Sequence, residues 1–210
     1  MSSPEQSLAR RPIKARSSAW AIALSGRLAR AGVTANSISL LSILAAGLGG
    51  ALIALYERPI GWLLAAVCVQ VRLVCNLLDG MVAIEGGRRS KVGALYNEIP
   101  DRVADTLLLV PLGYAAGVPW LGWAGALLAA VTAYIRTLGG ALGLAQDFSG
   151  IMAKQRRMAV LTAGLIAQSV ETALSSGRWA LLTAAGVIAA GSLLTCLTRT
   201  VKVAAALERK

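Results

Sequence analysis

The chain carries its clearest structural signal in the run ANSISLLSILAAGLGGALIALY, which extends from Ala35 to Tyr56 and contains no charged residue. An α-helix rises about 1.5 Å per residue, so roughly 20 apolar residues cross the hydrocarbon core of a bilayer. The run therefore predicts a membrane-spanning helix. Its glycines Gly47, Gly49 and Gly50 are typical of contacts between helices that pack within a membrane.

Similar apolar runs recur along the whole chain. The protein has 210 residues and is 56% hydrophobic, whereas a soluble domain is about 45–50% apolar. The sequence predicts an all-α fold, a polytopic membrane bundle of about six transmembrane helices preceded by an N-terminal amphipathic helix. We place the spans at roughly Ala35–Tyr56, Ile60–Ile84, Gly93–Gly117, Trp120–Leu142, Met158–Leu174 and Trp179–Thr200.

No linker divides the bundle, so we expect one transmembrane domain over residues 34–210 after a cytoplasmic segment over residues 1–33. In that segment, Ser17–Gly32 mixes Trp20 and Ile22 with Arg27 and Arg30. This pattern is typical of an amphipathic helix that lies at a membrane surface. The first 20 residues lack an apolar core with a cleavage site, so we expect no cleaved signal peptide.

The basic residues predict the orientation in the membrane. Sixteen of the 21 Lys and Arg residues fall on the side that receives both termini, whereas only Arg58 and Arg178 fall on the opposite side. Lys and Arg residues of membrane proteins are enriched in the cytoplasmic loops. We therefore expect both termini in the cytoplasm and a location in a bacterial inner membrane. The net charge of +11 indicates anionic headgroups or phosphate-bearing substrates as partners, and we expect no nucleic acid.

The acidic residues concentrate where the second span ends and the third begins. Five of the ten lie there, namely Asp79, Glu85, Glu98, Asp101 and Asp105. Asn76 and Asp79 share one helix face, while Gly93, Asn97, Asp101 and Asp105 repeat every four residues along another. Histidine is absent, and carboxylate and amide oxygens suit Mg²⁺ or Mn²⁺. The pattern predicts a metal site at the cytoplasmic end of the bundle.

This segment reads Asn76-x2-Asp79-Gly80-x2-Ala83-Ile84-x8-Gly93-x3-Asn97-x3-Asp101. It resembles D-x2-D-G-x2-A-R-x8-G-x3-D-x3-D, the pattern of the CDP-alcohol phosphatidyltransferases, and every spacing is kept. The start of the first span, Gly32–Ser39, is similar to the T-P-N-x-L-T entry of that family. The stretch Ala153–Arg157 is similar to the basic stretch of members that use phosphorylated acceptors.

The resemblance implies a metal-dependent transfer of a phosphatidyl group from CDP-diacylglycerol to an alcohol, such as glycerol 3-phosphate, with release of CMP. It implies Asp101, or failing it Asp105, as the catalytic base, and often a homodimer in the bilayer. The implied metal ligands for Mg²⁺ or Mn²⁺ are Asn76, Asp79, Asn97, Glu98 and Asp101. In members with the full pattern, four acids hold two metal ions. The implied substrate-binding residues are Thr34, Asn36, Gly80, Ala83, Gly93, Arg136, Lys154, Arg156 and Arg157.

The chain departs from the family pattern at three positions. Asn76 and Asn97 stand where the pattern has its first and third Asp, and Ile84 stands where it has Arg. Arg88, Arg89 and Arg72 are the candidates to replace that arginine. The alternatives are an inactive relative that binds lipid or nucleotide, a buried polar network neutralised by Arg72 or Arg102, and an intramembrane prenyltransferase.

Overall fold

The structure, a computed structural model, describes residues 18–85, 93–175 and 177–209. Within these ranges it describes only the backbone of residues 84, 85, 94, 96 and 97. The loop Gly86–Val92 with Arg88 and Arg89, and residues 1–17 of the N-terminal segment, lie outside the described residues.

The described residues form seven α-helices, which confirms the all-α prediction. They are α1 (Ala19–Arg30), α2 (Ala35–Leu55), α3 (Pro59–Glu85), α4 (Gly93–Ala115), α5 (Pro119–Ala141), α6 (Lys154–Leu174) and α7 (Trp179–Leu207). Helix α1 corresponds to the predicted amphipathic segment, and α2 to α7 correspond to the six predicted spans.

Four helices, α2, α3, α5 and α7, are long and apolar enough to cross a membrane. Helices α4 and α6 carry most of the charged residues that the sequence placed near a functional site, so composition alone does not mark them as spans. Two of the predicted spans are shorter than the helices that contain them, because α6 begins at Lys154 and α7 continues to Leu207. Helical hydrogen bonds continue past the apolar run, whereas the prediction followed the apolar residues only.

The six long helices pack as a closed ring. Helix α2 packs on α3 and on α4; α3 packs on α6, α6 on α7, α7 on α5 and α5 on α4. Helix α1 packs outside this ring against α3. The two helices that carry the acidic residues, α3 and α4, therefore flank α2.

Small and branched residues hold the ring together. Leu108, Leu112 and Leu165 are fully or almost fully buried in its apolar core. A side chain at Gly50 would collide with the Leu107 carbonyl oxygen, so the absence of a Cβ lets α2 approach α4 closely. Because the cross-section is fixed by such contacts, the polar ends of α3, α4 and α6 face one another in a defined register.

Candidate active site

A cavity of about 330 Å³ opens at the basic end of the bundle, between α3, α4, α5, α6 and α7 and beside Trp20 of α1. Its lining is apolar on the α3 side, where Leu73, Val74 and Leu77 contribute. The charged residues that line it are Glu98, Asp101, Arg102, Arg136, Lys154, Arg157 and Arg199. Five cations against two acids give this cavity a positive excess that favours an anionic ligand.

Asn76 and Asp79 project from α3 towards serines of α2. Asp79 is buried, and its Oδ2 accepts a hydrogen bond of 3.0 Å from the Ser39 hydroxyl, while its Oδ1 accepts one of 2.5 Å from the Gly80 amide. Asn76 lines the cavity and donates from Nδ2 to Ser42 Oγ at 3.3 Å, which leaves its carbonyl oxygen for a ligand. The i, i+3 spacing thus brings both side chains to one face, as predicted.

Asp101 of α4 is surrounded by cations. Lys154 Nζ contacts its Oδ1, Arg72 Nη2 lies 3.7 Å from the same oxygen, and Arg102 Nη2 lies 3.7 Å from Oδ2. In the part of the chain that the structure describes, Oδ2 accepts no hydrogen bond within the usual distance. Its side chain keeps 12% of its surface exposed, so Oδ2 is the Asp101 oxygen that is available to a ligand in the cavity.

Asp105, one turn further along α4, lies in a different environment. Its Oδ1 accepts from Arg72 at 2.5 Å and its Oδ2 accepts from Arg157 at 2.6 Å, and all three side chains are buried. Both oxygens are therefore occupied by guanidinium groups. This geometry favours a positioning role for Asp105, and the catalytic role that the resemblance implied stays a prediction.

Glu98 and Arg136 form a second polar group on the cavity wall. Arg136 Nη2 donates to Glu98 at 2.6 Å and its Nη1 donates to Gln146 at 2.5 Å. The Arg136 guanidinium also lies 5.1 Å from the centre of the Phe148 ring, a cation–π distance. Arg136 is thus held in place on three sides, whereas Glu98 is paired with a cation and is a weaker candidate for a metal ligand.

Arg199 is a cavity residue that the sequence-based prediction missed, because the positive-inside pattern alone accounts for an arginine at the cytoplasmic end of the last span. In the structure it is buried in α7, and its Nη1 and Nε donate to the carbonyl oxygens of Thr132 at 2.6 Å and Ser149 at 2.8 Å. A charge inside the last apolar run was the available hint. Arg199 ties the α5–α6 connection to α7 and lines the cavity.

The α5–α6 connection is held on α7 at further points. Met152 donates its amide to Thr195 Oγ1 at 2.9 Å, and Lys202 lies 3.6 Å from Asp147. Burial alone raises the pKa of the Asp147 carboxyl, but hydrogen bonds from Ser149 and the nearby cations lower it overall. An ionised Asp147 thus helps to fix the start of α6, which carries Lys154.

Several predicted substrate-binding residues lie away from the described lining of the cavity. Thr34 caps α2 by accepting from the Ser37 amide at 3.1 Å and is exposed. Arg156 is exposed and lies near the carbonyl oxygens of the preceding connection. The half-buried residues Asn36, Gly80, Ala83 and Gly93 are likewise absent from that lining, and the Asn97 side chain lies outside the description. Their binding roles stay predictions.

Comparison with known proteins identifies the family. The phosphatidylinositol phosphate synthase of Mycolicibacterium smegmatis is 30% identical over 186 residues, which cover 81% of this chain and 77% of that protein. The chain belongs to the CDP-alcohol phosphatidyltransferases. No family model matches it. The inner membrane protein YnbA of Escherichia coli is 38% identical over 79 residues, but this match spans only 39% of its length.

Solved structures agree on the fold. Phosphatidylinositol phosphate synthase (PgsA1) from Mycobacterium tuberculosis, with manganese and citrate, matches with a TM-score of 0.70 at 23% identity, over 87% of this chain and 88% of that one. The same protein with CDP-DAG bound gives a TM-score of 0.71 at 22% identity, covering 87% and 92%. With its apolar helices, this chain is an integral membrane protein of that fold.

Few of the described oxygen donors of the site are free to hold a divalent cation. The described residues contain no group of three His, Cys, Asp or Glu side chains arranged to hold a metal ion. What fits is a smaller set. Among the described residues, the buried Asp79 carboxylate accepts hydrogen bonds only from neutral donors, and no donor contacts the Asn76 carbonyl oxygen. Hard oxygen donors of this kind suit Mg²⁺ or Mn²⁺.

Proposed function

We propose that this protein transfers a phosphatidyl group from CDP-diacylglycerol to a phosphorylated alcohol and releases CMP. The observation that carries the proposal is the cavity in which Asp101 lies among Lys154, Arg136, Arg157 and Arg199. A neutral acceptor brings no charge to these cations, whereas the phosphate of a phosphorylated alcohol adds an anion beside the ion pairs that Lys154 and Arg136 already form. Glycerol 3-phosphate and an inositol phosphate are the acceptors to test first, the latter because of the names of the mycobacterial relatives.

The lipid substrate fits the two-sided character of the cavity. Its apolar wall on α3 is formed by Leu73, Val74 and Leu77, and acyl chains that reach it from the bilayer remain in apolar surroundings. The pyrophosphate then lies towards Asn76 and Asp79, at the polar end of the same helix. When bound there, a divalent cation neutralises charge on the pyrophosphate and on the departing CMP.

The transfer step uses Asp101 as the base. Its Oδ2 takes the proton of the acceptor hydroxyl, and the hydroxyl oxygen forms a bond to the phosphorus atom next to the lipid. The bond from that phosphorus to the CMP oxygen breaks, and CMP leaves with the electron pair. Lys154 and Arg136 hold the acceptor phosphate so that its hydroxyl faces Asp101.

The test is a CMP-release assay with purified full-length protein, CDP-diacylglycerol, Mn²⁺ or Mg²⁺ and a panel of alcohols. Wild type should release CMP with a phosphorylated acceptor and much less with the dephosphorylated form. Asp101→Asn should lose at least 100-fold in kcat, in line with the loss of a general base. Glu57→Gln, at an exposed ion pair with Arg178 on the opposite end of the bundle, is the matched control and should behave as wild type.

A further inference from the structure

The carboxylates of the site differ in their counter-charges. Asp79 is 5% exposed, and its partners are the Ser39 hydroxyl and the Gly80 amide; no Lys or Arg within the described ranges forms an ion pair with it. A buried carboxylate is costly unless a positive charge compensates it. Within the described residues, Asp79 is thus the site carboxylate that has no ion pair, and the charge of Lys154 acts on it only from beyond ion-pair distance.

Asp101 is already neutralised by the protein itself. Lys154 contacts its Oδ1, and Arg72 and Arg102 each have a nitrogen 3.7 Å from one of its oxygens. A second divalent cation at Asp101 would have to displace the ammonium of Lys154 and approach two guanidinium groups. Like charges at such distances repel strongly where the dielectric is low.

Lys154 is held in this position by its helix. Asp101 and Asp105 lie one turn apart on α4, and Lys154 and Arg157 lie one turn apart on α6, so the two helices are joined by two successive ion pairs. The Arg157–Asp105 pair is buried, with an N–O distance of 2.6 Å. It fixes the register of α6 against α4 and keeps the Lys154 ammonium at Asp101.

Asn76 adds a further difference between the α3 side of the site and the Asp101 side, because its side chain is neutral. Asn76 shares a helix face with Asp79 and offers a neutral amide oxygen. Among the described side chains, the α3 side of the site therefore carries a single negative charge for an incoming cation. One divalent ion satisfies it, whereas two would leave a large positive excess beside the five cations of the cavity wall.

We propose that the site binds one divalent cation, through Asp79 and Asn76, and that the Lys154 ammonium provides the second positive charge at Asp101. Lys154 then bridges Asp101 and a substrate oxygen as a fixed cation, with no dependence on metal supply. The inference rests on the proposed function for its role in catalysis, but the number of bound metal ions can be measured without any turnover.

The experiment is a Mn²⁺ titration of full-length protein in lipid nanodiscs, followed by equilibrium dialysis and by electron paramagnetic resonance. Wild type should bind one Mn²⁺ per chain and give the six-line signal of an isolated ion. Asp79→Asn should lose that ion. The variant Asn76→Asp, Asn97→Asp, Lys154→Met should bind two ions that show spin–spin coupling.

Arg178→Met, which removes an exposed cation at the opposite end of the bundle, should keep one ion and serves as the matched control. Two coupled Mn²⁺ ions in wild type, or none at millimolar concentration, would overturn the inference, as would a triple variant that stays folded and binds only one. CMP release measured on the same samples separates the two proposals. One bound ion without CMP release refutes the proposed function alone, and CMP release with two bound ions refutes this inference alone.

Discussion

The buried ion cluster at Asp105 gives the sharpest test of how the site is supported. Asp105→Asn removes the anion shared by Arg72 and Arg157, whose side chains are 0% and 2% exposed. The Nε and Nη1 atoms of Arg72 already lack a hydrogen-bond partner among the described residues. Among the described residues, the variant therefore leaves the buried Arg157 guanidinium without a counter-charge and leaves Arg72 with only its 3.7 Å contact with Asp101. Water cannot replace the lost anion without opening the bundle.

The expected loss of stability follows from that burial. Removal of one partner from a buried ion pair costs about 3–5 kcal/mol, which corresponds to a fall in Tm of about 6–20 °C for a chain of this size. Asp101→Asn should cost much less, because its side chain remains 12% exposed and Lys154 can turn towards the cavity. The two variants should thus separate, with Asp105→Asn losing stability and Asp101→Asn losing chiefly activity.

The assay is thermal unfolding of both variants and wild type in the same nanodiscs, followed by tryptophan fluorescence, together with CMP release well below each Tm. A third variant, Arg72→Met, Asp105→Leu, Arg157→Met, replaces the whole cluster with apolar side chains and should recover most of the lost Tm. If Asp105→Asn melts within about 2 °C of wild type while Asp101→Asn is the unstable one, the assignment of the two acids is wrong.

Three further results are expected. Arg136→Gln should raise KM for a phosphorylated acceptor roughly tenfold or more with a smaller change in kcat, because a charged hydrogen bond contributes about 1.5–3 kcal/mol. Equal KM values for the variant and wild type in steady-state kinetics would contradict this role of Arg136. Gly50→Ala should destabilise the bundle by about 1–3 kcal/mol, because its Cβ would collide with the Leu107 carbonyl, whereas Gly186→Ala meets nothing within 4 Å and should leave Tm unchanged. A green fluorescent protein fused to the C-terminus should fluoresce and an alkaline phosphatase fused there should be inactive, as a cytoplasmic terminus requires; the opposite pair of readouts would reverse the predicted topology.

The helices and the helix faces that the candidate residues share could be predicted from local sequence. Apolar runs such as Ala35–Tyr56 gave the spans, and the i, i+3 spacing of Asn76 and Asp79 gave their shared face, since both are properties of a single helix. The four-residue repeat also put Asp101 and Asp105 on one stripe of α4. These predictions succeeded because they depend on helix geometry alone.

The separate environments of Asp101 and Asp105 could not be predicted in the same way. Lys154 and Arg157 reach them from α6, 53 and 52 residues further along the chain, and only the packing of the ring decides which cation meets which acid. The burial of Arg199 depends likewise on the connection that crosses α7. Pairings between distant helices are set by the whole bundle, for which one stretch of sequence carries no periodic signal.

The proposed activity is tested most directly by the products of the reaction. Purified wild-type protein is incubated with CDP-diacylglycerol, Mn²⁺ and either glycerol 3-phosphate or an inositol phosphate, and both CMP and lipids are quantified by mass spectrometry. CMP and a new phosphatidyl lipid that carries the acceptor should form in equal amounts, and neither should form when the acceptor is omitted. Folded protein that binds CDP-diacylglycerol and Mn²⁺ yet forms neither product with any acceptor of the panel would contradict the proposed activity.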